Sequence, residues 1–190
     1  GGGLATLVKS DLRPVWVSQG DDFTEILVIQ IHIENLQVRV INCYGPQACD
    51  SNERKITFWN RLQHEVNDAF ENQCEVLIQM DANSHLGSDL IKGDPNAQNM
   101  NGKLCADFLK RSSLVLINGT EKCRGTVTRS RTKSSKEESA ILDFVILSDF
   151  LEDALEFMEI DEDRTFPFSS YVKGKPKHSD HFTELLKFNI

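Results

Sequence analysis

The chain has 190 residues, a net charge of −8, 39% hydrophobic and 26% charged residues. That length supports one domain with its own core, and the acidic balance excludes a protein that coats nucleic acid by charge alone. No apolar run approaches the ~18 residues needed to cross a bilayer, and no signal-peptide pattern is present, so no membrane contact is expected and the chain reads as intracellular or as a fragment. Five cysteines (Cys43, Cys49, Cys74, Cys105, Cys123) with no Cys-x-x-Cys spacing argue against a disulfide framework or a zinc site and point to a reducing compartment.

In chain order, Gly1–Gly3 reads as a flexible entry into a short strand at Leu4–Lys9. The β-branched run Phe23–Ile33, the break Glu34-Asn35 and the run Leu36–Tyr44 predict a hairpin. In its second strand Asn42 and Tyr44 share a face at the end closed by Gly45-Pro46. A phenol there is able to bond a phosphate or simply to pack at the rim of the core, and both readings stay open. Ser51 caps a helix to about Glu71, whose apolar residues Phe58-Trp59, Leu62, Val66 and Ala69-Phe70 keep helical spacing.

Glu75–Met80 is an apolar strand that runs into Asp81 and Asn83. Residues two apart share a strand face, so a carboxylate stands beside an amide unless the chain turns sharply between them. Such a pair can hold and orient a water for attack, although Asp-x-Asn is also a common loop start. A polar loop through Asp94-Pro95-Asn96, a helix over about Gly102–Arg111 and a strand at Leu114–Asn118 follow, an order that favours an α/β fold. Gly119–Ser139 reads as a basic loop. Ala140–Ser148 is an apolar strand with one acid, Asp143, in its interior; a buried carboxylate needs a histidine, an arginine or backbone donors as partner. A mainly polar tail, Glu152–Lys177, leads to Ser179-Asp180-His181 and a last strand at Phe182–Ile190.

Two basic stretches flank these groups: Lys122, Arg124, Arg129, Arg131, Lys133 and Lys136, with no acid between Lys122 and Lys136, and Lys173, Lys175 and Lys177. Basic loops are commonly just solvated, but two of them on an acidic chain read as local phosphate attraction.

Taken in order, Asn42-x-Tyr44-x-Pro46, Asp81-x-Asn83, Leu142-Asp143-Phe144 and Ser179-Asp180-His181 resemble the motifs of the endonuclease/exonuclease/phosphatase superfamily. Val76–Asn83, Asp94-Pro95-Asn96 with Asn99-x-Asn101-Gly102-Lys103-Leu104, and Thr128-Arg129 are most similar to the endonuclease domains of non-LTR retrotransposon polyproteins. The resemblance implies a single domain over 1–190 with a four-layer α/β/β/α sandwich of two packed mixed sheets and outer helices, its first strands missing. It implies a nuclease that nicks target DNA with Mg²⁺ (Mn²⁺ as an alternative), followed by a reverse transcriptase domain in the same polyprotein, in the nucleus or cytoplasm. By the same resemblance Asp81 activates the water and Asn83 helps to hold it. His181, paired with Asp143, faces the scissile phosphate and Tyr44 bonds it, with Asn42, Asn118, Thr128 and Arg129 as substrate-side groups and Asp180 at the metal.

Met80 stands where the family normally has Gly. The family's upstream Asn and metal-binding Glu have no match; Glu25 and Glu34 are poor substitutes, because they lie in or beside the hairpin rather than at a site-facing strand end. The expectation is therefore a chain truncated before those strands, with weak metal affinity and low activity. Two other readings stand beside the nuclease: a phosphatase or phosphodiesterase acting on a small molecule or lipid, and a non-catalytic binding module that keeps the fold.

Overall fold

In the computed structural model the described residues are 4–19, 25–133, 135–165, 169–172 and 175–190, with backbone alone for Lys133, 169–172 and 175–178. The strands are β1 (Val15–Gln19), β2 (Glu25–Ile33), β3 (Leu36–Tyr44), β4 (Glu75–Asp81), β5 (Val115–Leu116), β6 (Cys123–Arg124), β7 (Arg129–Lys133), β8 (Lys136–Ala140), β9 (Asp143–Leu147), β10 (Leu155–Ile160), β11 (Ser169–Val172), β12 (Lys175–His178) and β13 (Glu184–Phe188). The helices are α1 (Asn52–Glu71), α2 (Met100–Ser112) and α3 (Asp149–Ala154).

Six strands form the main sheet in the order β1-β2-β3-β4-β9-β5, and β13-β10-β6 form a second. Both are mixed: β3 and β4 are parallel, as are β10 and β6, while the other pairings are antiparallel. On one face of the main sheet Ile26, Val28, Ile41, Val76 and Ile78 pack against Phe58, Trp59, Leu62 and Val66 of α1 and Phe108 of α2. The opposite face, with Ile29, Val38, Val40, Val145 and Leu147, meets Leu155, Met158 and Ile160 of β10 and Leu186 and Phe188 of β13. This is the α/β architecture that the order of elements predicts, with the two packed mixed sheets that the family resemblance implies.

Several local expectations are corrected. Leu4–Lys9 is not a strand; the first strand is β1, an edge strand beginning just after Pro14. The basic stretch 119–139 is not one loop, since it holds β6, most of the β7–β8 hairpin and their turns, and the polar tail contains β10, a central strand of the second sheet. Asp143 opens β9 rather than lying inside it. The first of the three lysines 173, 175 and 177 lies outside the described residues, as do the side chains of the other two.

Glu25 needs a correction that bears on the site. It pairs with Tyr44, which pairs with Asp81, which pairs with Asp143. Directly paired residues share a sheet face, so these four side chains form one row across four strands at the same end of the sheet. Glu25 therefore stands at the site-facing end of β2, exposed to water and two strands from Asp81, whereas Glu34 is in the turn at the other end.

Candidate active site

At the end of β4 the backbone does turn sharply. Asn83 has φ +45°, and its N–H donates to Asp81 Oδ1 at 3.0 Å, closing an Asx turn. The Asn83 amide then donates to Gly45 O at 2.9 Å, which ties the end of β4 to the end of β3. The two chain ends are close: a Cβ on Gly45 would lie 2.5 Å from Ala82 O, so only glycine fits there.

Asn101, in the first turn of α2, locks this junction. It is 1% exposed, its Nδ2 donates to Pro46 O (3.0 Å) and Ala82 O (2.8 Å), and its Oδ1 accepts from Trp59 Nε1 (2.7 Å). One buried amide thus fastens the loops after Tyr44 and Asp81 to α1 and α2. The resemblance assigns it no role; the signal that finds it is a polar residue on the apolar, inward side of a helix.

His181 brings the C-terminal part of the chain to the row. Its Nδ1 lies 2.8 Å and 3.0 Å from the two oxygens of Asp143, and its Nε2 faces Asp81 Oδ2 at 3.9 Å. With Nδ1–H donating to Asp143, the ring is oriented and Nε2 turns toward Asp81. Asp143 hydrogen bonding raises the His181 pKa above its ordinary value; burial opposes this, and the charges of Asp143, Asp81 and Asp180 add to it. Burial and the neighbouring Asp143 charge push Asp81 up to about 6, against the Asn83 N–H and the charges of His181 and Arg129. Asp81, Asp143 and His181 each place one atom within 4.8 Å of the others, close enough to share a metal ion.

Tyr44 OH accepts from Gln47 Nε2 at 3.1 Å at the rim of this group. Asn42, one pleat further from the mouth, donates to Ala5 O and Thr6 Oγ1 and so pins the N-terminal segment. Asn118 and Thr128 turn inward. The Asn118 amide donates to Asp143 O (3.0 Å) and accepts from Val145 N–H (2.9 Å), while the fully buried Thr128 hydroxyl accepts from the N–H groups of Leu142 and Asp143. Both hold the backbone that carries Asp143. Arg129 and Asp180 form an ion pair, Nε and Nη2 lying 2.8 Å and 2.7 Å from Asp180 Oδ2, and Asp180 stands outside the group of three.

Sequence reasoning missed Glu184, three residues after His181. Among the described residues its Oε1 is buried without a hydrogen-bond partner, and burial, with the Asp143 charge, pushes its carboxyl up to about 8 against a pull from Asn118. An acid inside the apolar run Phe182–Phe188 is the same signal that singles out Asp143.

No protein-family model matches the sequence, and no curated protein is significantly similar to it. Solved structures are similar in fold. The endonuclease domain of TRAS1, a telomere-specific non-LTR retrotransposon, superposes with a TM-score of 0.65 over 96% of this chain and 71% of that one, at 15% identity. A Neisseria 3′ phosphatase bound to a product DNA hairpin gives 0.61 over 86% of this chain and 65% of its own, at 17% identity. An endonuclease/exonuclease/phosphatase family protein from Leptotrichia buccalis gives 0.55 over 87% and 54%, at 14% identity. The chain has the fold of the endonuclease/exonuclease/phosphatase proteins.

Proposed function

We propose that the chain is a divalent-cation-dependent nuclease domain that hydrolyses DNA phosphodiesters and nicks duplex DNA. The observation that carries this reading is the Asp143–His181 pair facing Asp81 across 3.9 Å at the open end of the sheet. In it an oriented imidazole and a second carboxylate flank a space that water can enter. The likenesses to an endonuclease domain and to a phosphatase bound to product DNA support DNA as the substrate, and we further propose, on the sequence resemblance, a place ahead of a reverse transcriptase, in the nucleus or cytoplasm.

Ionised Asp81 accepts a proton from the attacking water through Oδ2, the oxygen that faces His181, while Oδ1 stays on the Asn83 N–H. The water oxygen bonds to phosphorus, the bond to one ester oxygen breaks and that oxygen takes a proton from solvent as it leaves, and His181 Nε2–H donates to a phosphoryl oxygen as charge builds on it. Asp143 holds the ring for that contact and stabilises its charged form. Tyr44 contacts the phosphate from the neighbouring position in the row.

The donors fit a divalent cation. Two mutually repelling carboxylates and an imidazole lie together, and positive charge relieves the Asp143 repulsion that, second to burial, raises the Asp81 pKa. Asp81 and Asp143 would hold the ion, magnesium or manganese, with Asp180 as a further carboxylate at the mouth, while His181 keeps its two ring protons for Asp143 and the phosphate. Such an ion supplies Lewis-acid and charge-clamping chemistry at the phosphate.

The test is nicking of supercoiled plasmid with Mg²⁺ or Mn²⁺, with EDTA and His181→Ala as controls. The expected result is metal-dependent nicking that His181→Ala lowers by about 10²–10⁴-fold, the range for a lost acid–base group. Nicking that His181→Ala leaves unchanged would refute the assignment. Phosphate release from a 3′-phosphorylated oligonucleotide without nicking would move the chain to the phosphatase branch.

A further inference from the structure

We propose that Arg129 is a built-in counter-cation that competes with a divalent ion for Asp180, so that cation loading at the site mouth requires the arginine to let go. This rests on the divalent-cation reading above and adds a means of controlling it.

Both Nε and Nη2 of Arg129 converge on the same oxygen, Asp180 Oδ2, at 2.8 Å and 2.7 Å. Two donors on one oxygen compete directly with a cation for that oxygen, because a metal bond and two N–H bonds cannot share it without lengthening. Backbone pairing holds the two residues together. Arg129 forms an antiparallel bridge with His181, Ser130 N–H donates to Asp180 O at 2.9 Å, and Phe182 N–H donates to Thr128 O at 2.7 Å. The arginine is therefore delivered to Asp180 by the same strand contact that delivers His181 to the row, and it is 22% exposed against 44% for Asp180. Burial tends to raise the Asp180 carboxyl, but the Arg129 hydrogen bond and charge outweigh it and leave the group below its ordinary value. Asp180 is thus a carboxylate already supplied with a cation.

The competition has a clear chemical consequence. With the pair closed, the cation donors are Asp81 and Asp143; with it open, Asp180 joins them and the guanidinium is released toward solvent at the mouth, where an anionic phosphate would meet it.

The experiment is Mn²⁺ binding to the intact chain, followed by the electron paramagnetic resonance of free Mn²⁺, for the wild type, Arg129→Gln, Arg129→Lys, Asp180→Asn and the Arg129→Gln/Asp180→Asn double variant. Circular dichroism checks each fold. Arg129→Gln is expected to bind Mn²⁺ about five-fold more tightly, the scale of a half-exposed ion pair, and Arg129→Lys to fall between it and the wild type. The gain must vanish in the Asp180→Asn background. Equal affinities, a gain that survives Asp180→Asn, or no binding by any variant would each overturn the proposal. If Arg129→Gln does not fold, Arg129→Lys, which keeps the charge and loses the fork, decides between the outcomes. Competition without plasmid nicking would sink the nuclease reading and leave the arginine latch standing.

Discussion

At the residue scale the site is a set of carboxylates held closer than their charges favour. Asp81 titrates near 6 in the folded chain against an ordinary 3.8, so the folded state holds its proton more tightly than the unfolded state does. Stability is therefore lost as pH rises from about 4 to about 6, and Asp81→Asn removes that loss. The variant is expected to be more stable than the wild type by about 1–3 kcal/mol at pH 7.5 and not at pH 4, read from urea denaturation at the two pH values. Activity has the complementary profile: cleavage rises as Asp81 ionises, below pH 6 once a bound cation relieves the Asp143 repulsion, and falls above the raised His181 pKa as Nε2 loses its proton. Glu184 behaves oppositely to a surface acid. It stays protonated at neutral pH while the unfolded chain ionises it, so Glu184→Gln is expected to leave stability unchanged at pH 4 and to raise it progressively as pH rises from about 4.5 to about 8. The Asp143–His181 pair is legible in the sequence, because an acid at an apolar strand demands a partner and few histidines are available. The Arg129–Asp180 pair is not, because it depends on a single bridge between segments whose register no local pattern reveals.

At the element scale the legible pieces are those with a clean period. α1 has its apolar stripe and its Ser51 cap, with the Arg54 N–H on the serine hydroxyl, and β2, β3 and β4 are rich in β-branched residues. The β7–β8 hairpin is not legible, because its middle lies in water on both faces and carries Arg, Lys, Ser and Glu in place of alternation. β10 hides for another reason: a register shift between Leu155 and Phe157 puts its buried residues at Leu155, Met158 and Ile160, which breaks the period of two. The joints between elements carry the precision of the site. Gly45→Ala drives a methyl into Ala82 O and is expected to cost about 1–3 kcal/mol by urea denaturation, with a parallel loss of nicking. Asn101→Leu leaves Trp59 Nε1 and two buried carbonyls without their partner; about 2–4 kcal/mol is expected, larger than for leucine at an exposed polar position of α2.

At the scale of the whole molecule, the main sheet is buried on both faces, by helices on one side and by the second sheet on the other, and the reactive groups emerge where the sheet ends. A net charge of −8 leaves little general attraction for a polyanion. Raising salt from 50 to 200 mM is therefore expected to weaken duplex binding only about ten-fold, the release of about two counterions, measured by fluorescence anisotropy. The row Glu25–Tyr44–Asp81–Asp143 has a further consequence for a chain made from its N-terminus. Tyr44 and Asp81 come into register through β3 and β4 alone, whereas Asp143 and His181 are synthesised later and join only when β9 and the segment before β13 have docked. A nascent chain thus lacks the imidazole until its last segments are made, and their docking delivers the group that would make it reactive.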